Sequence, residues 1–111
     1  MNKQEIGELI NLLDAEVNNG GFDQFFFNSS GDKTAEIIDA LELVGASRTA
    51  AMVKRAAAKF PEGMPPKEWA KRQDVLLEQV SPESNAFQET DKEFYSNSEN
   101  LSELLNQYIA R

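Results

Sequence analysis

Apolar residues recur every three or four positions along most of this chain, and nowhere do they alternate with polar ones over a strand's length. The pattern therefore predicts helices and no sheet. From Asn2 or Lys3 to Val17, Ile6, Leu9, Ile10, Leu13 and Val17 share one face, with Glu5, Glu8 and Glu16 off it. Gly20-Gly21 predicts a helix stop, because glycine takes the left-handed conformation that other residues resist. Phe22, Phe25 and Phe26 then recur at i, i+3 and i+4, placing three rings on one face of a short helix. Gln24 and Asn28 stand one turn apart beside them, each able to donate and accept, which suits them to tie down neighbouring backbone. Asn28-Ser29-Ser30-Gly31-Asp32 is a cluster of turn formers.

A third helix is predicted from about Lys33 to Val44, with Ala35, Ile38, Leu41 and Val44 inward and Glu36, Asp39 and Glu42 at three-residue steps opposite. Asp32 is its expected N-cap and Gly45 its end. Ser47 is the expected cap of a fourth, alanine-rich helix through Lys59, where small side chains let another helix approach. Phe60-Pro61-Glu62-Gly63-Met64-Pro65-Pro66 holds three of the four prolines and breaks the helical run. Pro66 then predicts the start of a fifth helix, roughly Lys67 to Val80, with Trp69, Gln73, Leu76, Leu77 and Val80 as its inward stripe. One short helix is expected within residues 83–100, and Asn100 is the expected cap of a last helix carrying Leu101, Leu104, Leu105, Tyr108 and Ile109. The fold class is thus all-α, a compact single-domain bundle of about five to seven helices over residues 1–111.

Composition narrows the chemistry. The 111 residues include no cysteine and no histidine, which removes thiol nucleophiles, Ser-His catalysis and the usual zinc sites. No dense oxygen-ligand loop marks a divalent-cation site around Asp14 and Glu16 or Asp32 and Glu36, so neither metal nor cofactor is expected. The acids lie mostly on predicted solvent faces, away from the differing pocket environments that paired carboxylates need for acid–base work, so no catalytic residue is assigned. Gly20-Gly21 before a helix suggests an anion cradle, but the Gly-Lys-Ser/Thr of a phosphate loop is missing and Asp23 puts a negative charge in the first turn.

Net charge is −8, and it is unevenly spread. Residues 1–45 carry nine acids and two bases, residues 46–82 four acids and seven bases, and residues 83–111 six acids and two bases. An acidic surface repels nucleic acid and membrane and steers basic partners. Asp14, Glu16, Glu36, Asp39 and Glu42 are the candidate partner-binding residues. The N-terminal residues lack a basic segment followed by an uninterrupted apolar stretch, so no secretory leader is expected and cytoplasmic placement is.

The run NNGGFDQFFFNSSGD, an Ala-rich helix ending in FPEGMPP, Arg72 beyond it, and DKEFY followed by LSELLNQYI resemble the family of small acidic DNA-mimic proteins, formerly a domain of unknown function. The match covers about residues 6 to 109. Asn18, Asn19, Gly20, Gly21, Phe22, Gln24, Phe25, Phe26 and Asn28 carry its most specific motif and have the character of fold determinants. The resemblance implies an all-helical fold, no catalytic activity and, for the characterised member, a homodimer whose acidic surface imitates DNA and sequesters a DNA-binding regulator. The function expected is therefore a non-enzymatic acidic protein holding a basic DNA-binding or regulatory partner. An antitoxin or immunity-like inhibitor is the alternative.

Overall fold

The computed structural model describes residues 1–97 and 99–111. Six α-helices and no strand are found among them: α1 (Lys3–Phe27), α2 (Thr34–Leu43), α3 (Ser47–Ala57), α4 (Trp69–Val75), α5 (Gln88–Tyr95) and α6 (Leu101–Ile109). A 3₁₀ turn, Ser29–Lys33, joins α1 to α2, and α4 runs on as a π-helical turn, Leu76–Val80. The radius of gyration, 13.4 Å, is that of one domain of this length, about 13 Å for roughly 100 residues.

α1 is the axis of the bundle, touching α2, α4, α5 and α6, while α3 closes against α2 and α5. Its two halves meet at a kink where Gly20 and Gly21 leave helical geometry, and Gly21 takes φ +72°. The predicted stop is real, and a second helical segment restarts at once. That second segment aims Phe22, Phe25 and Phe26 into the centre, where each ring is fully buried. Phe26 meets Phe60 of the proline loop at 5.0 Å and Phe87 at 5.4 Å between ring centroids, and Phe22 meets Phe94 edge-on at 6.0 Å. Three segments far apart in sequence are thereby bound to one aromatic cluster, the largest apolar contribution a small core can receive.

Local signals set several ends. Asn2 Oδ1 accepts from the Glu5 N–H at 2.8 Å and Asn100 Oδ1 from the Glu103 N–H at 3.0 Å, both as side-chain N-caps. Other ends differ from expectation. Asp32 does not cap α2, whose N-cap is Lys33 without a side-chain bond, because the Asp32 carboxylate is drawn to Arg72. Ser47 does not cap α3; Glu99 reaches across and accepts from the Thr49 N–H at 2.9 Å and its hydroxyl at 2.8 Å. Pro66 does not open α4, which begins at Trp69. The inner face of α2 includes Ile37 and Ala40 as well as Ile38 and Leu41. The short helix expected in residues 83–100 is α5, and Ser98 of that stretch lies outside the described residues.

Candidate functional site

The break in α1 frees backbone groups that a continuous helix would pair, and α5 supplies their partners. Phe22 N–H, at the start of the second half, donates to Asp91 Oδ1 at 2.9 Å. The Tyr95 hydroxyl, one turn further along α5, donates to the Val17 carbonyl at the end of the first half at 2.8 Å. The anion cradle suggested by Gly20-Gly21 is thus filled by the chain's own carboxylate. Asp91 lies so close to Gly21 that a Cβ there would collide with its oxygens, which together with the positive φ accounts for glycine at this position. Burial pushes the Asp91 carboxyl above its ordinary 3.8; the Phe22 N–H pulls it back, and the Asp23 charge pushes it up again.

A second brace spans the same kink. Glu16 Oε2 accepts from Gln24 Nε2 at 2.7 Å and from Asn28 Nδ2 at 3.1 Å, and Asn19 donates to Gln24 Oε1 at 3.3 Å. Gln24 and Asn28 do pin the turn, but onto a carboxylate of the preceding half-helix and not onto loop backbone. Glu16 is therefore engaged in architecture. Asn18 bonds Asp14 at 3.0 Å one turn back.

The C-terminus of α1 is closed from α4. Arg72 is fully buried, and its guanidinium donates four hydrogen bonds, all to backbone carbonyls. Nε donates to the Phe26 carbonyl at 2.8 Å, Nη2 to the Asn28 carbonyl at 2.9 Å, and Nη1 to Pro66 and Lys67 carbonyls at 3.0 and 3.1 Å. Asp32 Oδ1 stands 2.7 Å from Nη2 as an ion pair without an aligned hydrogen bond. The Phe27 carbonyl between them takes Trp69 Nε1 at 2.7 Å and Gln73 Nε2 at 2.9 Å, and Ser30 Oγ donates to Phe25 O at 2.7 Å. The orphan carbonyls at a helix end are thereby satisfied, with a cation at the negative pole of the helix dipole. This corrects the inward stripe expected for the fifth helix: Arg72 is interior, whereas Trp69 and Leu77 are each 50% exposed.

The acidic residues of α1 and α2 gather on one side. Glu5, Glu8 and Glu36 line a groove of about 280 Å³ with Met1 and Lys33, and Asp39 and Glu42 line an adjoining open depression that Met1 also bounds. Glu36 pairs with Lys67 at 2.9 Å and Glu42 with Lys54 at 3.1 Å, so cations of the basic middle third partly neutralise the row. Asp39 is exposed, and Glu5 and Glu8, not among the candidates chosen from sequence, complete the face. Asp14 and Glu16 lie further along α1, held by the amides just described.

Among the described residues no group of three or more His, Cys, Asp or Glu is placed to hold a metal ion, and no helix is long and apolar enough to cross a membrane. Residues 5–111 match the family described as DMP19-like protein, and the chain belongs to that family. No curated protein and no solved structure matches the chain.

Proposed function

We propose that this DMP19-like chain is a non-enzymatic interaction protein whose α1–α2 face holds a basic partner, a DNA-binding or regulatory protein, by presenting carboxylates where that partner otherwise meets phosphates. The observation carrying this reading is the placement of Glu5, Glu8 and Glu36 around one groove with Asp39 and Glu42 beside it. Family membership and a net charge of −8 support it, since such a charge steers a basic protein toward the complex. The Lys67–Glu36 and Lys54–Glu42 pairs do not close the face. Both are exposed, and exposed ion pairs contribute only about 0–1 kcal/mol, so an incoming Lys or Arg displaces them at small cost.

The test uses the full chain as bait in extract of its own cells, eluted with a salt gradient and, separately, with duplex DNA. Retention of a basic DNA-binding protein released by both eluents is the expected result. A captured toxin that duplex DNA does not displace would identify the immunity-like alternative, and a partner indifferent to salt would sink the electrostatic reading.

A further inference from the structure

A second surface lies on the opposite use of the phenylalanine run, where Phe27 points outward. Phe27 is 42% exposed, and it stands beside Trp69 and Leu77, each 50% exposed. Trp69, Gln73 and Leu77 follow at four-residue steps, which puts them along one flank of α4 and its π-helical extension. Asp23, Phe27, Leu76, Leu77 and Ser84 line an open groove of about 440 Å³ between this flank and the second half of α1. Exposed large apolar side chains are commonplace singly, but Phe27 and Leu77 share this groove and Trp69 is tied to the Phe27 carbonyl at its side, so the three constitute a patch.

Three features show that this surface is built and not left over. The Trp69 indole is fixed by its 2.7 Å bond to the Phe27 carbonyl, so the ring is held in place before any partner arrives. Pre-ordering of this kind reduces the entropy lost on binding, and tryptophan is among the residues that anchor interfaces most strongly. Leu76 and Leu77 lie in a π-helical turn, a rare geometry that gathers at functional sites. Ser84 holds φ +55°, a left-handed conformation that serine seldom takes and that the surrounding structure must enforce.

Charge decides the occupant. Among the described residues Asp23 is the sole charged group lining the groove, and no Lys or Arg lines it. Asp74 precedes Leu77 by three residues on α4, so it adds a second carboxylate beside the patch. Neither Asp23 nor Asp74 has an ion-pair partner among the described residues, whereas Asp32, Glu36, Glu42 and Glu93 do. The open face of Trp69 is in addition a cation–π acceptor. We propose that this groove docks an amphipathic helical segment of a partner protein, its bulky apolar side chains entering between Phe27 and Leu77 and Arg or Lys at the edge of that apolar face meeting the Asp23 and Asp74 carboxylates and the exposed Trp69 ring. The groove stands apart from the α1–α2 acidic face and is independent of it.

The chain has a single tryptophan, so its fluorescence reports on this patch alone. The full chain is titrated with a synthetic helical peptide carrying Leu on one face and Arg on the other, with two controls in which Glu replaces Arg or Ser replaces Leu. The Leu/Arg peptide is expected to give a saturable blue shift of Trp69 emission, and both controls to bind about tenfold or more weakly at this site, as loss of an interface anchor does. Leu77→Glu and Asp23→Lys, each checked for an unchanged far-UV spectrum, are expected to weaken the shift by a similar factor. A Glu5→Gln/Glu8→Gln/Asp39→Asn variant should leave it intact, which separates this groove from the acidic face. The proposal is overturned if the peptide binds by anisotropy without moving Trp69 emission, or if Asp23→Lys and Leu77→Glu both bind as the parent does. Equal binding of the Glu control overturns it too. So does an emission shift that follows protein concentration alone, which would show that a second copy covers the patch.

Discussion

Nε of Arg72 donates to the carbonyl oxygen of Phe26 across 46 residues of sequence, closing the end of a helix to which the arginine does not belong. With three further hydrogen bonds to the Asn28, Pro66 and Lys67 carbonyls and an ion pair to Asp32, this one side chain joins the phenylalanine run, the proline loop and the 3₁₀ turn. Arg72→Met removes the donors, leaves the Phe26 carbonyl and the Asp32 carboxylate without their partner, and leaves the Asn28 carbonyl with the Gly31 N–H alone. A loss of about 3–5 kcal/mol is expected, as when one partner of a buried charge network is deleted. Arg72→Lys keeps the charge but not the planar fork, and is expected to lose about 2 kcal/mol or more. Urea unfolding of the two variants measures both.

Gly31 has a purely steric reason to be glycine. A Cβ at this position would lie 2.5 Å from Arg72 Nε, and the guanidinium has no freedom to yield. Gly31→Ala is expected to cost about 1–3 kcal/mol, the range for overpacking a tight interior. Gly45, at φ +84° with nothing within 4 Å of its Cβ position, makes a useful contrast. Its alanine variant suffers only backbone strain, of order 1 kcal/mol. The difference between the two midpoints in urea separates collision from strain.

Phe27 O is served twice, by Trp69 and by Gln73. Trp69→Phe or Gln73→Leu alone leaves one donor in place, and each is expected to lose about 0.5–1.5 kcal/mol. The double variant leaves that carbonyl without a side-chain donor and is expected to lose more than the two singles together. A double-mutant cycle in urea reads the coupling directly, and simple additivity would show that the two donors do not share the carbonyl.

Asp91 gives stability a pH dependence of unusual sign. Its pKa in the folded chain is raised above 3.8, chiefly by burial, while the unfolded chain keeps the ordinary value. Between the two, the native state binds more protons than the unfolded state, so this group's contribution to stability falls as pH rises through that window from 3.8 upward. Asp91→Asn cannot ionise and still offers an oxygen to the Phe22 N–H. The stability of the parent relative to Asp91→Asn is therefore expected to drop as pH rises above the window's lower edge and then level off. A difference that grew with pH would contradict the assignment.

Much of this fold was legible in the sequence because its signals are local. Asn100 caps the helix that begins just after it, and Phe22, Phe25 and Phe26 follow helical spacing that leaves no doubt about a shared face. The long-range brackets were not legible. An arginine in an amphipathic pattern has the spacing of a solvent residue, and only the arrival of the α1 carbonyls makes Arg72 interior. Trp69 was expected inside on hydrophobicity, yet its indole N–H is used at the surface, on Phe27. Glu99 displaces Ser47 as the cap of α3 for the same kind of reason: a carboxylate 50 residues from Thr49 reaches three donors that the serine does not. The acidic row was visible as spacing, but the lysines that partly neutralise it, 12 and 31 residues away, were not.

The central functional claim concerns the carboxylates of the α1–α2 face. The most direct measurement compares the parent with Glu5→Gln/Glu8→Gln/Asp39→Asn, an exposed set whose replacement is expected to leave the urea midpoint nearly unchanged. Affinity for the captured basic partner is followed from about 0.05 to about 0.3 M salt, where the screening length shortens through roughly 10 Å. The parent is expected to weaken steeply with salt, and the neutralised variant to bind about tenfold or more weakly at the low-salt end with a shallower dependence. Equal affinity and equal salt dependence of the two proteins would show that the partner is held elsewhere.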